Sequence, residues 1–231
     1  MILTLMDNNK GDTEINMNCF QNLGIADLEI INEKKKQVTF FKDETVFKQG
    51  AFAPHVLFVN QGLVRVYIQT NKNKQINIRL AKKGDLIAFS SIFGKDTYLY
   101  SAIALKDSEI CMIDKEALKE LLWRNPDFAM QIYSKNCHNE NRYIDIIRNI
   151  SYKQMRGKLA SALLYLSSEK FTDENVYECL ARQNIADFAS ISVESAVKFI
   201  KEFEKEGIIS LDGKKILIQD KKSLDEINLR G

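Results

Sequence analysis

The chain reads as an α+β protein: an antiparallel β domain, then a long helix, then a helix-turn-helix followed by a hairpin. Three observations predict this. Alternating apolar runs recur between Gln37 and Asp114 with turn residues between them. A stretch from Asp127 to about Asn149 contains no glycine or proline. Near the C-terminus, two short amphipathic segments precede strands joined by Asp212-Gly213.

The length of 231 residues suits one or two domains. Hydrophobic residues make up 45% and charged residues 28%, ordinary globular usage that allows a sizeable core. Residues 1–18 read as a loose N-terminal segment. Its apolar run Met1–Met6 is too short for a membrane span and lacks the basic region of a signal peptide. The chain is therefore read as cytoplasmic, without a membrane partner. The four cysteines Cys19, Cys111, Cys137 and Cys179 have no metal-ligand spacing and are expected to be free thiols.

A short helix is expected over Ile25–Ile31. Val64-Arg65-Val66-Tyr67-Ile68-Gln69 alternates with period two, so it reads as a strand with one buried face. Turn signals at Lys48-Gln49-Gly50, Asn60-Gln61-Gly62 and Lys82-Lys83-Gly84-Asp85 separate short strands at near-regular spacing. That pattern predicts an antiparallel sandwich or barrel. Residues 19–124 form this β domain, closed by a helix that begins at Lys115. Asn125-Pro126 then starts the long helix of residues 125–150, with proline in the first turn. Its polar middle argues against a continuous coiled-coil seam, though one polar layer can fix register.

Residues 151–231 begin with an amphipathic helix over Gln154–Ser167. In the segment from Arg182 to Ile200, Ile185, Ala189, Ile191, Ala196 and Phe199 can pack between two crossed helices. Ser192 is placed to cap the second one. At 100° per residue, Ala196, Phe199, Ile200 and Phe203 share one face. Glu194, Lys198, Lys201 and Lys205 lie almost opposite. Lysine can contact phosphate or guanine, and glutamate can accept from cytosine. The plainer reading of the same charges is a solvated face with i,i+4 pairs. The hairpin at Asp212-Gly213, with Lys214 and Lys215 at its tip, decides for a winged helix and double-stranded DNA.

The chain resembles the Crp–Fnr superfamily of bacterial transcription regulators over roughly Cys19 to Asp220. The residues that carry this are Asp43–Gly50, Phe58–Tyr67, Lys83-Gly84-Asp85-Leu86, Ser101–Ser108 and the helix-turn-helix. The resemblance implies a jelly-roll-like β-roll sensor, a dimerisation helix and a homodimer on a two-fold symmetric operator. RNA polymerase and an unidentified small-molecule effector are further partners it admits. It adds Arg182, Gln183 and Ser195 to the residues already drawn from the helix face, cap and hairpin, so the DNA-contacting set is Arg182, Gln183, Ser192, Glu194, Ser195, Lys198, Lys201, Lys205, Lys214 and Lys215. Here Val193 and Lys198 stand where the motif usually has arginines, and Ser190 replaces its turn glycine.

Members that bind cyclic AMP carry a Gly-Glu pair and an Arg-Ser pair, for ribose and phosphate. Those places hold Ala88-Phe89 and Tyr100-Ser101 here. Cyclic AMP is therefore not expected as a ligand, since a buried phosphate without a cation is costly. Phe89, Ser90, Ser91, Tyr100 and Ser101 line a more apolar pocket, or else Phe89 and Tyr100 fill it as core.

No cofactor is expected. The iron–sulfur branch needs three clustered N-terminal cysteines, and only Cys19 lies there. Two histidines, His55 and His138, leave little for haem or for a metal oxygenase. No G-x-S-x-G elbow is present, so no catalytic residue is assigned. The alternative is a cyclic-nucleotide-binding-like module that acts mainly through a protein partner, which leaves the winged helix unexplained.

Net charge is +2, from 33 basic and 31 acidic residues, so no polybasic carpet exists. Residues 150–231 carry 13 of each sign, so the case for DNA rests on the placement of five lysines.

Overall fold

A computed structural model describes residues 23–71 and 74–231. The expectations for the N-terminal segment and Cys19 lie outside the described residues. The order begins with α1 (Ile25–Glu33), β1 (Lys35–Phe40), β2 (Thr45–Phe47), β3 (His55–Gln61) and β4 (Leu63–Asn71). Next come β5 (Lys74–Lys82), β6 (Leu86–Ile87), a 3-10 turn (Phe89–Ser91), β7 (Ser101–Ala104) and β8 (Ser108–Asp114). Two four-stranded antiparallel sheets result, in the orders β1-β8-β3-β6 and β2-β7-β4-β5.

Alternation along β3 shows how the first sheet works. Leu57 and Val59 point between the sheets, with Val64, Val66, Ala102 and Ile110. Val56 and Phe58 point outward into a second core, and are equally buried. That outer face is covered by α1, by α2 (Lys115–Arg124) and by the start of α3 (Pro126–Tyr152), through Ile31, Leu118, Leu121, Phe128 and Ile132. Asp114 caps α2 by accepting from the N–H groups of Glu116 and Ala117 at 3.0 and 2.9 Å. Asn125 caps α3 by accepting from Phe128 N–H at 3.0 Å. Both caps satisfy donors that a helix start leaves open.

Gly62, in the turn between β3 and β4, has φ +108°. A Cβ there would stand 2.1 Å from Ser108 Oγ, so only glycine fits.

The second sheet contains a bulge. Val66 pairs with Arg79, but Tyr67 pairs with Asn77, which leaves Ile78 as the extra residue of β5. Ile78 faces the inter-sheet core, while Leu80 turns to the opposite side and joins the C-terminal core. The strand is thus buried on both sides.

The C-terminal part follows as α4 (Met155–Leu166), a 3-10 turn (Glu169–Glu174), α5 (Val176–Cys179), α6 (Arg182–Ala189) and α7 (Val193–Lys205). β9 (Ile209–Asp212) and β10 (Lys215–Ile218) form the hairpin, and α8 (Lys221–Arg230) ends the chain. Leu159, Leu163, Ile185, Phe188, Ile200, Phe203, Ile216 and Leu224 make its core, together with Leu63 and Leu80 of the sheets and Leu105 just after β7.

The long helix runs to Tyr152, slightly past its expected end. Met130, Tyr133, Ile144, Ile147, Ile150 and Tyr152 stand exposed along it. Cys111, Cys137 and Cys179 are free, and burial pushes the Cys111 thiol up to about 11. It is an inert core residue rather than a reactive thiolate.

Candidate nucleic-acid interface and sensor cavity

The winged-helix face is built by α7. Its Ala196, Ile200 and Phe203 are buried against α4 and α6, and Phe199 is half-buried. Glu194, Lys198, Lys201 and Lys205 are exposed on the other side. Ser192 Oγ accepts from Ser195 N–H at 3.2 Å, which fixes the start of the helix. The Glu194 carboxyl is held below the usual carboxylate range by its own backbone N–H and by the Ser192 hydroxyl. Lys198 Nζ lies 3.9 Å from Glu202 Oε1, an exposed i,i+4 pair of small worth.

The turn before α7 is formed by Ser190, with φ +54° and ψ +42°. Ile191 N–H bonds back to the Ala186 carbonyl at 3.1 Å, the outer bond of a Schellman closure. Serine thus takes the left-handed conformation that glycine adopts most readily, and closes the turn with it.

Arg182 and Gln183 open α6. Gln183 Nε2 donates to Asp187 Oδ1 at 2.8 Å, so part of its amide is committed within the domain. Lys214 and Lys215 are exposed at the hairpin tip.

In the β domain, a cavity of about 550 Å³ opens between β5, the Phe89–Ser91 turn and α3. Phe89, Ser90 and Tyr100 line it. Ser91 and Ser101 do not, and the expectation is corrected for both. Ser91 is buried with its hydroxyl donating to the Ala88 carbonyl at 2.7 Å. Ser101 Oγ accepts from Gln49 N–H at 3.0 Å. Tyr100 is wall and core at once: its ring packs on Phe47 at 5.9 Å, and its hydroxyl accepts from Ala88 N–H at 2.8 Å. Burial pushes that phenol up to about 12.

The larger correction concerns charge. The sequence suggested a cavity without a cation, but Arg79 stands in its wall, 3% exposed. Its Nη2 donates to the Leu86 carbonyl.

Among the described residues no group of three or more metal-ligating side chains forms, and no helix is long and apolar enough to cross a membrane.

Known proteins agree with this layout. Residues 37–125 match the family described as Cyclic nucleotide-binding domain, and residues 157–227 match the Crp-like helix-turn-helix domain. The chain is 26% identical to the Anaerobic regulatory protein of Bacillus subtilis over 197 residues, 82% of each chain. The chain belongs to the Crp–Fnr superfamily of transcription regulators. Two solved structures share the fold of this Crp–Fnr regulator. FixK2 from Bradyrhizobium japonicum has a TM-score of 0.74 at 16% identity, covering 84% of this chain and 97% of its own. A transcriptional regulator of the crp/fnr family from Eubacterium rectale has a TM-score of 0.71 at 20% identity, covering 92% and 98%. The Crp–Fnr chain is a regulator and not an enzyme.

Proposed function

We propose that this regulator binds a two-fold symmetric DNA site as a homodimer. In this reading α7 enters the major groove, with Glu194 and Lys198 toward base edges. Arg182, Lys201, Lys205, Lys214 and Lys215 serve the phosphates, and Ser192 and Ser195 fix the helix start beside them. The observation that carries it is the division of α7 into a buried apolar face and an exposed charged one. The exposed apolar side chains of α3 are the surface for a second copy. Two copies would double a small basic footprint on a domain with no net charge.

The sensor cavity is read as taking no cyclic AMP. The Ala88 N–H and the Ser101 hydroxyl, at the places where the family handles the nucleotide, are already bonded within the chain.

The test is operator binding at fixed salt, on DNA selected by the wild-type protein from random sequence. Lys198→Ala should weaken selected DNA far more than random DNA. Unchanged affinity for both would remove α7 as the reading helix. An upward shift of the melting temperature by cyclic AMP would overturn its exclusion.

A further inference from the structure

The regulator reading leaves one buried cation without a task. Arg79 lines the cavity between β5 and α3. Asp85 Oδ2 lies 3.7 Å from its Nη1, beyond hydrogen-bond reach. That carboxylate is shared with Lys170 Nζ at 3.4 Å and with the backbone N–H of Lys82 at 3.0 Å. Nε and Nη1 of Arg79 consequently have no hydrogen-bond partner among the described residues. A guanidinium offers five N–H groups in a fixed fork, and two neighbouring ones match a carboxylate. Nε and Nη1 lie on opposite edges of the group, so a fork is completed by the second N–H of Nη2, the first being given to the Leu86 carbonyl. Arg79 is also held out of water.

The rest of the wall sets the body of the ligand. Ile68, Ile78, Leu86, Phe89 and Ile146 are apolar, and the volume suits a small organic molecule. Glu140, exposed on α3, also borders the cavity and disfavours a second negative charge. We propose that this cavity binds an apolar molecule bearing a single carboxylate, held on the Arg79 guanidinium. The proposal rests on reading the β domain as the sensor. The position fits that role, because Arg79 lies two residues along β5 from Asn77, which contacts α6.

Isothermal titration of the full chain with octanoate, and with neutral octanamide, tests this without any DNA. Octanoate should bind at least about ten-fold more tightly than octanamide, as a charge-assisted pair requires. Arg79→Met should erase that preference while leaving octanamide binding in place. Should that variant fail to fold, Leu99→Glu carries the test. Leu99 is 51% exposed in the same wall, so a new carboxylate there should weaken octanoate without moving the melting temperature of the free protein. Three results would overturn the proposal: equal binding of the two compounds, a preference that survives Arg79→Met or Leu99→Glu, or no binding of either at about 1 mM. The last would mean that Asp85 satisfies Arg79 or that a second copy covers the cavity. No octanoate binding alongside normal operator binding sinks the ligand and spares the regulator. Octanoate binding without operator binding does the reverse.

Discussion

Asn77 Nδ2 on β5 donates a 2.9 Å hydrogen bond to the main-chain carbonyl of Asn184 on α6. Its Oδ1 accepts from Arg65 Nη1 at 2.6 Å, and the side chain is fully buried. One amide thus ties a β-sheet strand to the first helix of the helix-turn-helix. Two more bonds cross nearby: Tyr165 OH accepts from Leu80 N–H at 2.9 Å, and Arg142 Nε donates to the Ile78 carbonyl at 3.3 Å. Asn77→Leu keeps the size and removes both bonds of the amide. Arg65 is buried and its Nε already lacks a hydrogen-bond partner, so its guanidinium loses its shortest acceptor. The expected loss is about 1–3 kcal/mol. Urea unfolding would measure it, and hydrogen exchange should quicken first in α6. Exchange that quickens uniformly would show that the amide is no tether.

Ser190 holds a left-handed conformation that costs a non-glycine residue about 1 kcal/mol. Its N–H bonds, to the Ala186 and Asp187 carbonyls, are backbone bonds that glycine keeps. Ser190→Gly should therefore stabilise the chain by about 1 kcal/mol, near 2–4 °C in melting temperature. Calorimetry checks this. A lower melting temperature would mean that the serine side chain supports the turn.

Local devices were legible in the sequence, and features set by neighbours were not. The Ser192 cap and the Asp212-Gly213 hairpin each depend on a few adjacent residues. The run at Val64–Ile68 is a strand, but the expectation of one buried face is corrected: Leu63 and Arg65 are buried on its other side as well. Arg79 is not legible because Ile76, Ile78 and Leu80 alternate as one apolar face, and strict period two would turn Arg79 to the other. The bulge at Ile78 resets the alternation, so Arg79 turns to the cavity and Leu80 to the helices. Ser91 and Ser101 satisfy their hydroxyls locally, and spacing carries no trace of that choice. The helix α8 was missed because Lys221–Arg230 is mostly polar. Leu224 alone is fully buried in it, and Gly231 closes tightly on Gly157 of α4.

Phe203 and Lys198 sit on opposite sides of α7 and should fail in opposite ways. Phe203 is fully buried in the C-terminal core, so Phe203→Ala should cost about 3–5 kcal/mol through the cavity it leaves. Lys198 is exposed, and Lys198→Ala should change stability by less than about 0.5 kcal/mol. Chemical denaturation of both variants separates the two faces. A destabilised Lys198→Ala would mean that its contacts with Glu202 and the Phe199 ring matter more than exposure allows.

Asp187 is a buried carboxyl on α6 whose pKa is raised, chiefly by burial. The Gln183 amide and the Arg65 charge pull the other way without cancelling it. An acid whose folded pKa lies above its unfolded value weakens the fold when ionised. That penalty is full above the folded pKa, shrinks as pH falls through it, and is gone below the ordinary carboxylate value of about 3.9. Asp187→Asn keeps an acceptor for Gln183 and removes the charge. It should raise the melting temperature at pH 7, and the gain over wild type should vanish as pH falls through the carboxylate range. Melting curves at several pH values check this. A variant less stable than wild type at pH 7 would show that the attraction to Arg65 outweighs the desolvation.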